Sequence, residues 1–199
     1  LADVAGIQEV DVVELEPVVV HMAERCSLMN RNALQNPKLR IHYNDAREYL
    51  LTVKKNYDLI VSEPSNPYRA GISTLFTREF YASAADRLTE DGLFLQWLQG
   101  YEIDERTVKI VLQTLRSVFP HIQIWWTKTR DMVLVCGKSE AALAFDVESL
   151  HRNMAQPTLR EGLTHAWRVD DIEGVLAHFV CGNRTIDALL GTSSIPLNT

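Results

Sequence analysis

The sequence is short of the residues that cross-link a fold or bind a metal ion. Its three cysteines, Cys26, Cys136 and Cys181, are odd in number and far apart, so they offer no disulfide framework and no Cys-x-x-Cys pair. We therefore expect reduced thiols and a cytoplasmic location. No two of the six histidines stand at the i, i+4 spacing of helical metal sites. No metal site is predicted.

Positive charge and long apolar runs are also scarce. The net charge of −6 at pH 7 argues against a broad phosphate-binding surface and against a nucleic-acid partner. No apolar run approaches the roughly 20 residues that a membrane-spanning helix needs. There is no internal repeat or low-complexity tract, and 199 residues suffice for one domain core with a small appendage.

A glycine-rich turn near the start of the chain is missing as well. Folds that bind dinucleotides or nucleosides usually begin with a strand and such a turn, whereas residues 1–6 resemble the end of a helix. The chain begins at Leu1 rather than at a methionine. Because a sheet without a central strand leaves two ladders unpaired, we expect this strand and its glycine loop to lie upstream, or another chain to fill the gap.

Strand and helix patterns alternate along residues 1–138. Short β-branched or apolar runs predict strands, and amphipathic stripes predict helices. The predicted strands are residues 9–14, 39–43, 57–62 and 93–98, followed by a hairpin of 122–126 and 132–136 with a polar turn at 128–131. The predicted helices are residues 18–29, 46–53, 77–88 and 104–118. This order indicates a doubly wound, Rossmann-like α/β sheet that ends in an antiparallel hairpin edge.

The pattern beyond Lys138 changes to helices alone, at roughly 146–155, 158–165, 170–179 and 184–190. No strong linker precedes these helices, so they do not form an obvious separate domain. We therefore predict one α/β domain over residues 1–138 and a helical C-terminal extension over residues 139–199.

Three acidic side chains follow three successive predicted strands. They are Glu14, Asp45 and Glu63. Ligands of open α/β sheets bind just beyond the carboxyl ends of the strands, so acids there face a ligand. Glu63 also precedes a loop that Pro64 and Pro67 keep rigid and non-helical. The series predicts a binding site, although Glu14 alone would be an ordinary strand-end acid and Asp45 alone would be a helix N-cap.

Four sequence blocks carry a resemblance to a known family. They are Val-Glu-Leu-Glu-Pro-Val-Val at 13–19, Asn-Asp-Ala at 44–46, Tyr-Asp-Leu-Ile-Val at 57–61 and Leu-Phe-Thr-Arg-Glu-Phe-Tyr at 75–81. Over about residues 9–138, the chain resembles the spermidine synthase family of polyamine aminopropyltransferases. The resemblance is greatest to bacterial versions in which such a domain follows a membrane-embedded region. It implies the fold of the class I S-adenosylmethionine-dependent methyltransferases.

The resemblance implies a reaction and a set of site residues. The family moves an aminopropyl group from decarboxylated S-adenosylmethionine, a co-substrate, to a small-molecule amine such as putrescine. By position, Glu14 would bind the ribose hydroxyls, Asp45 the adenine amine and Ala46 the adenine ring. Glu63 would be the catalytic proton acceptor, and Asn66 would bind the amine substrate. The resemblance also leaves room for a homodimer and for tethering to a membrane through an upstream region.

Two segments depart from the family's pattern. Where the family has Asp-Ser-x-Asp-Pro, residues 63–67 are Glu-Pro-Ser-Asn-Pro, so the base is one methylene longer and Asn66 carries no charge. Where the family has Pro-Thr-Tyr-Pro-Ser-Gly, residues 127–132 are Thr-Lys-Thr-Arg-Asp-Met, whose two cations would repel a diamine. Two alternatives stay open: a non-catalytic nucleoside- or polyamine-binding module, and a small-molecule methyltransferase that uses S-adenosylmethionine. Asn66 before Pro67 also fits a plain turn residue.

Overall fold

The structure is a computed structural model that describes residues 1–127, 130–191 and 195–199. Its strands are β1 (Val10–Glu14), β2 (Leu39–Tyr43), β3 (Tyr57–Ser62), β4 (Leu88–Leu98), β5 (His121–Trp126), β6 (Met132–Gly137) and β7 (Phe179–Gly182). Its α-helices are α1 (Pro17–Arg25), α2 (Ala46–Thr52), α3 (Arg78–Asp86), α4 (Glu105–Arg116), α5 (Val147–Met154), α6 (Pro157–Gly162), α7 (Ile172–Leu176) and α8 (Asn183–Leu190). Short 3₁₀ turns cover Ala33–Gln35, Ile72–Phe76 and Ala141–Leu143, and a π-helical turn covers Leu163–Trp167. Within these ranges no helix is both long enough and apolar enough to cross a bilayer.

The strands form two sheets. β1 and β2 pair with each other, and β3, β4, β6, β5 and β7 form the second sheet in that order. The pairs β1–β2 and β3–β4 are parallel, whereas β4–β6, β5–β6 and β5–β7 are antiparallel. The predicted α/β architecture is therefore confirmed, with β5 and β6 as its hairpin, but the predicted hairpin edge is wrong because β7 lies outside β5 at the edge. Of the predicted hairpin turn, Lys128 and Thr129 lie outside the described residues.

Aromatic side chains on one face of β4 form the centre of the core. Phe94 of β4 stacks on Phe119 with a ring-centroid distance of 5.3 Å, and Tyr81 of α3 meets Phe94 edge-on at 5.6 Å. Leu112 and Leu115 of α4 are buried in the same cluster. α3 packs directly on β4, and α4 adds its buried side chains to the same cluster, so both helices support the parallel pair of β3 and β4. The carboxyl ends of these strands therefore stand on a rigid support.

The helix starts follow the capping signals, whereas some boundaries shift. Thr77 and Asp104 cap α3 and α4 by accepting hydrogen bonds from first-turn backbone N–H groups. α1 ends at Arg25, before the predicted end at residue 29. Arg31 beyond it has a φ of 56°, which lies outside the range of a right-handed α-helix. β4 begins at Leu88 instead of residue 93, and the predicted turn lies inside the strand as an irregularity, because Leu88 pairs with Tyr57 and Leu93 pairs with Leu59.

The C-terminal segment contains a strand that the sequence pattern did not predict. β7 pairs antiparallel with β5, with Trp125 opposite Phe179. The prediction of helices alone beyond Lys138 is therefore wrong, and the helix predicted at 170–179 is limited to α7. β7 is four residues long, and it forms because β5 offers an unpaired ladder far away in the sequence. A run this short does not reveal such a partner.

The residues beyond 138 also contribute to the main core. Ile186 and Leu190 of α8 belong to the same buried cluster as β4 and α4. Arg116 of α4 forms an ion pair with Asp187 of α8 at 2.9 Å. The division into a domain at 1–138 and an extension at 139–199 stays a prediction, and these contacts give a direct way to test it.

Candidate functional site

A cleft of about 670 Å³ opens at the carboxyl ends of β1 and β3 and at the start of α2. Four of the predicted site residues, Glu14, Asp45, Ala46 and Glu63, line this cleft together. The fifth, Asn66, is not among the lining residues. The structure thus brings the three strand-end acids to one place, while the role of each residue stays a prediction.

Glu14 ends β1 and lies at the entry to α1. Its Oε1 accepts a hydrogen bond from the backbone N–H of Glu16 at 2.9 Å, which fixes the side chain. Pro17 then starts α1, where its missing N–H has no consequence for the helix. Since a carboxylate has two acceptor oxygens, Oε2 can still accept a hydrogen bond from a ligand hydroxyl.

Asp45 is the N-cap of α2, the structural role that its position in the sequence also allowed. Its Oδ1 accepts from the backbone N–H of Arg47 at 2.8 Å, and its Oδ2 accepts from the Arg47 guanidinium at 2.9 Å. The hydrogen bond from the Arg47 side chain holds the pKa of this carboxyl below its ordinary value. Asp45 is therefore ionised and fixed at the wall of the cleft, with Ala46 beside it in the lining.

Glu63 directly follows β3 and is exposed at the cleft. Ser62, the last residue of the strand, is buried, so the backbone that carries the Glu63 side chain is anchored in the core. Pro64 continues the lining and keeps the backbone out of a helix. The chain returns to the cleft at Ala70 and Gly71, and the φ of Gly71, +85°, lies in the left-handed region that favours glycine. The loop therefore leaves the cleft after Ser65 and re-enters it at Ala70.

Asn66 lies beyond the cleft lining, in a cluster with Tyr68 and Gln99. Its Nδ2 donates to the Tyr68 hydroxyl at 2.7 Å, and Gln99 Nε2 lies 3.5 Å from the same oxygen. Gln99 directly follows β4 and is 1% exposed. No motif marked Tyr68 or Gln99 in the sequence. The available signal was a polar residue at the end of a nearly continuous apolar strand.

Arg130, in the segment after β5, packs against Gly100. A Cβ atom at Gly100 would lie 1.7 Å from the carbonyl oxygen of Arg130, so glycine alone allows this approach. The Thr127 N–H donates to the Asp131 carbonyl at 2.7 Å and closes the loop. Of the two cations predicted here, Arg130 is exposed and Lys128 lies outside the described residues. Of the segment that the resemblance relates to amine binding, Arg130 therefore packs at the carboxyl end of β4.

Asp11 forms a polar network at the cleft that sequence reasoning did not single out. Its Oδ2 accepts from Lys55 Nζ at 2.7 Å and from the Tyr57 hydroxyl at 2.9 Å, and its Oδ1 lies 2.9 Å from His42 Nε2. Burial raises the pKa of Asp11, but the hydrogen bonds from Lys55, His42 and Tyr57 outweigh it and lower the pKa to about 2. An acid inside an alternating β-branched strand was the signal that could have found it.

The fold and the cleft together define the class of protein. Acids beyond the carboxyl ends of parallel strands, in an α/β sheet with helices on its faces, are typical of proteins that bind nucleosides and nucleotides. The family model of the spermine/spermidine synthase domain matches residues 4–136, which is more than half of the chain. The chain belongs to this family.

The chain is also similar to named aminopropyltransferases. It is 28% identical over 121 residues to the polyamine aminopropyltransferase of Clostridium perfringens (strain SM101 / Type A). This match covers 60% of this chain and 42% of that relative. It is 34% identical over 92 residues to polyamine aminopropyltransferase 2 of Bacillus cereus. This match covers 45% of this chain and 25% of that relative. The chain thus spans less than half the length of these curated relatives.

Solved structures agree with the observed fold. The spermidine synthase from Thermotoga maritima superposes with a TM-score of 0.69 at 20% identity, covering 94% of this chain and 61% of that one. Human methyltransferase-like protein 13, solved in complex with SAH, superposes with a TM-score of 0.56 at 19% identity, covering 78% of this chain and 71% of that one. At these identities the likeness shows the fold, which is that of spermidine synthases and class I methyltransferases.

Proposed function

We propose that the cleft binds decarboxylated S-adenosylmethionine and transfers its aminopropyl group to a small-molecule amine. The observation that carries the proposal is that Glu14, Asp45 and Glu63 line one cleft at the carboxyl ends of the strands. Membership of the spermine/spermidine synthase domain family supports it, as do the names of the similar proteins.

Glu14 and Asp45 hold the nucleoside part of the co-substrate. The two oxygens of the Glu14 carboxylate suit the two hydroxyls of a ribose. In related nucleotide-binding folds, the acid after the second strand binds the ribose in the same way. Asp45 is ionised and held by Arg47, so its oxygens accept from the adenine exocyclic amine. Ala46 is small enough to let the adenine ring lie against the start of α2. This half of the site positions the co-substrate.

Glu63 accepts the proton that the acceptor amine must lose. A free alkylamine has a pKa near ~10.4 and is protonated at neutral pH, whereas only the neutral amine has a lone pair for attack. As the new nitrogen–carbon bond forms, the bond from that carbon to the sulfonium sulfur breaks. Neutral methylthioadenosine leaves with the bonding electrons, and the proton passes from nitrogen to the Glu63 carboxylate.

The test combines binding and turnover on the full-length native protein. Calorimetric titration with methylthioadenosine measures nucleoside binding, and release of methylthioadenosine from decarboxylated S-adenosylmethionine is then measured with and without amines. We expect binding, and release that requires an amine. A protein that binds no adenosyl thioether or sulfonium would overturn the proposal.

The same assay separates the alternatives. Binding without release would identify a non-catalytic nucleoside- or polyamine-binding module. Methyl transfer from S-adenosylmethionine, with no use of the decarboxylated form, would identify a methyltransferase. Either result would replace the aminopropyl transfer proposed here.

We also propose that the protein acts in the cytoplasm. Cys26, Cys136 and Cys181 are all free thiols, and cysteines stay reduced in that compartment. Labelling of thiols in intact cells before lysis would test this, and finding these cysteines oxidised would contradict it. Membrane tethering and a homodimer stay predictions from the sequence resemblance.

A further inference from the structure

One wall of the cleft is a short 3₁₀ turn, Ile72–Phe76, which we call the wall turn. Its residues Ile72, Thr74 and Leu75 line the cleft, together with Gly71 directly before the turn. The acidic side chains of the cleft come from other elements, so the wall turn offers mainly apolar surface, which suits the uncharged parts of a nucleoside. The position of this turn therefore affects how closely a ligand fits the cleft.

The wall turn is too short to fix its own position. The N–H groups of Ile72 and Ser73 donate to the Arg69 carbonyl at 3.1 and 2.9 Å, and a 3₁₀ turn of this length adds few further hydrogen bonds of good geometry. Phe76 is buried and anchors the end of the turn in the core. The polar middle of the turn, Ser73 and Thr74, therefore depends on contacts from outside.

Side chains outside the wall turn hold its middle at two backbone carbonyls. Thr77 Oγ1 donates to the Thr74 carbonyl at 2.9 Å. Asn198 Nδ2 donates to the Ser73 carbonyl at 3.1 Å, from a position 125 residues further along the chain. Ser73 does not line the cleft, whereas its neighbours Ile72 and Thr74 do. Asn198 therefore contacts the wall turn without entering the cleft.

The backbone of Asn198 is itself fixed by the core. Its N–H donates to Oγ1 of Thr114, a fully buried residue of α4, at 3.0 Å. Its carbonyl accepts from the Arg78 N–H at 2.8 Å, which is a first-turn donor of α3 without an acceptor inside the helix. Ile195 in the same segment packs against the core cluster. Because α3 and α4 both hold its backbone, the Asn198 side chain has a rigid support.

We propose that Asn198 is a positioning residue of the cleft, which holds the wall turn in the arrangement that binds the ligand. The inference rests on the proposed function only for the identity of that ligand. Because coupling between two sites is reciprocal, a ligand that prefers this arrangement also holds residues 195–199 in place. Glu63 lies on a different part of the cleft lining, so the effect is on binding and not on proton transfer.

Hydrogen exchange tests the contact without any ligand. Exchange of the Ile72 and Ser73 N–H groups, measured by mass spectrometry over residues 70–76, reports opening of the wall turn. Asn198→Ala removes the side-chain hydrogen bond and keeps both backbone bonds of residue 198, so this exchange should become roughly 5-fold faster. Thr199→Ala, at the exposed neighbouring residue, is the matched control and should leave it unchanged. Equal exchange in Asn198→Ala and in the unchanged protein would overturn the inference.

Calorimetric titration with methylthioadenosine tests the effect on the ligand. Asn198→Ala should bind it roughly 5-fold more weakly under conditions where urea unfolding shows that the variant is folded, whereas Thr199→Ala should bind it like the unchanged protein. Asn198→Asp keeps the shape of asparagine but has no N–H donor at neutral pH, so it should weaken binding at least as much. Faster exchange with unchanged affinity would show that the contact is structural alone and would overturn the inference.

Steady-state rates separate positioning from catalysis. In Asn198→Ala, KM for decarboxylated S-adenosylmethionine should rise by roughly 5-fold while kcat stays nearly unchanged, because the lost interaction affects binding alone. A fall in kcat with an unchanged KM would overturn the inference.

Exchange of the unchanged protein with and without methylthioadenosine tests the reciprocal effect. The ligand should slow exchange at residues 195–199 as well as at the wall turn. Slower exchange at the wall turn alone would overturn the coupling. If the unchanged protein binds no methylthioadenosine, the proposed function fails, whereas faster exchange of the wall turn in Asn198→Ala would still support the role of Asn198.

Discussion

Lys55 Nζ lies 2.7 Å from Asp11 Oδ2, and this ion pair joins the segment before β3 to β1. The two strands belong to different sheets, so the contact links the sheets through side chains. The Asp11 side chain is 5% exposed, and Tyr57 donates to the same oxygen. Because the Asp11 carboxylate is shielded from water and accepts from Lys55, Tyr57 and His42, the network should contribute measurably to stability.

Replacing Asp11 should destabilise the protein in a pH-dependent way. Its pKa is lowered from 3.8 to about 2, which corresponds to about 2 kcal/mol of stability. Because the folded-state pKa is the lower one, this stability is present above pH 4 and is lost as the pH falls towards 2. Asp11→Asn should therefore unfold more easily in urea than the unchanged protein at pH 7, and the difference should shrink between pH 4 and pH 2.

A surface acid provides the control for this measurement. Glu90 is exposed, and Glu90→Gln should change the unfolding free energy by no more than about 0.5 kcal/mol at either pH. If Asp11→Asn unfolds with the same free energy as the unchanged protein at pH 7, the network does not stabilise the fold. A difference that stays constant down to pH 2 would show that packing, and not charge, is the cause.

The strand ends could be predicted from the sequence because their signals are local. A β-branched run followed by an acid or a proline marks Glu14 and Glu63, whatever the rest of the chain does. The partners of Asp11 could not be predicted, because Lys55 and Tyr57 meet it through the packing of two separate sheets. β7 escaped prediction for the same reason, since only the distant strand β5 gives its residues a ladder to complete.

The amine half of the site was predicted less well than the nucleoside half. The motif comparison placed Asn66 by its position relative to Glu63, but the structure puts its amide outside the cleft lining and on the Tyr68 hydroxyl. Gln99 reaches this point from another strand. Local sequence does not state which strand ends lie side by side, so a cluster assembled from two of them needs the fold.

Two substitutions at Asp45 separate its capping role from a role in adenine binding. Asp45→Ala removes the N-cap of α2 and should cost about 1 kcal/mol of unfolding free energy, whereas Asp45→Ser keeps a capping oxygen and should cost less than about 0.5. If Asp45 also binds the adenine amine, both variants should bind methylthioadenosine roughly 10-fold more weakly. The measurements are urea unfolding and calorimetric titration.

A ligand without the amine is the control for Asp45. The 6-oxo analogue of methylthioadenosine should bind the unchanged protein more weakly, and neither Asp45 variant should weaken it further. If the two variants bind methylthioadenosine as tightly as the unchanged protein, Asp45 is a structural cap alone.

Glu63→Gln should remove the proton acceptor and keep the shape of the site. We expect kcat to fall by roughly 10²–10⁴ at pH 7, with little change in the affinity for methylthioadenosine. The defect should become smaller as the pH rises towards ~10, because more of the acceptor amine is then neutral without help. Rates of methylthioadenosine release between pH 7 and 10 measure both effects.

Glu63→Asp serves as the conservative counterpart. It keeps a carboxylate at the position where the family resemblance places aspartate, so it should retain far more activity than the glutamine variant. Full turnover of Glu63→Gln at pH 7 would exclude Glu63 as the base. A defect that does not change with pH would point to a role in positioning the amine.

Substitution in α8 tests whether the C-terminal residues fold with the main sheet. Ile186 is fully buried in the core, so Ile186→Ala should cost roughly 2–5 kcal/mol if residues 139–199 unfold together with the rest. Leu189 on the same helix is 43% exposed, and Leu189→Ala should cost much less. Urea unfolding followed by tryptophan fluorescence and by circular dichroism should show one shared transition that Ile186→Ala shifts. Two separate transitions, with only the weaker one shifted, would instead support a C-terminal extension that folds independently.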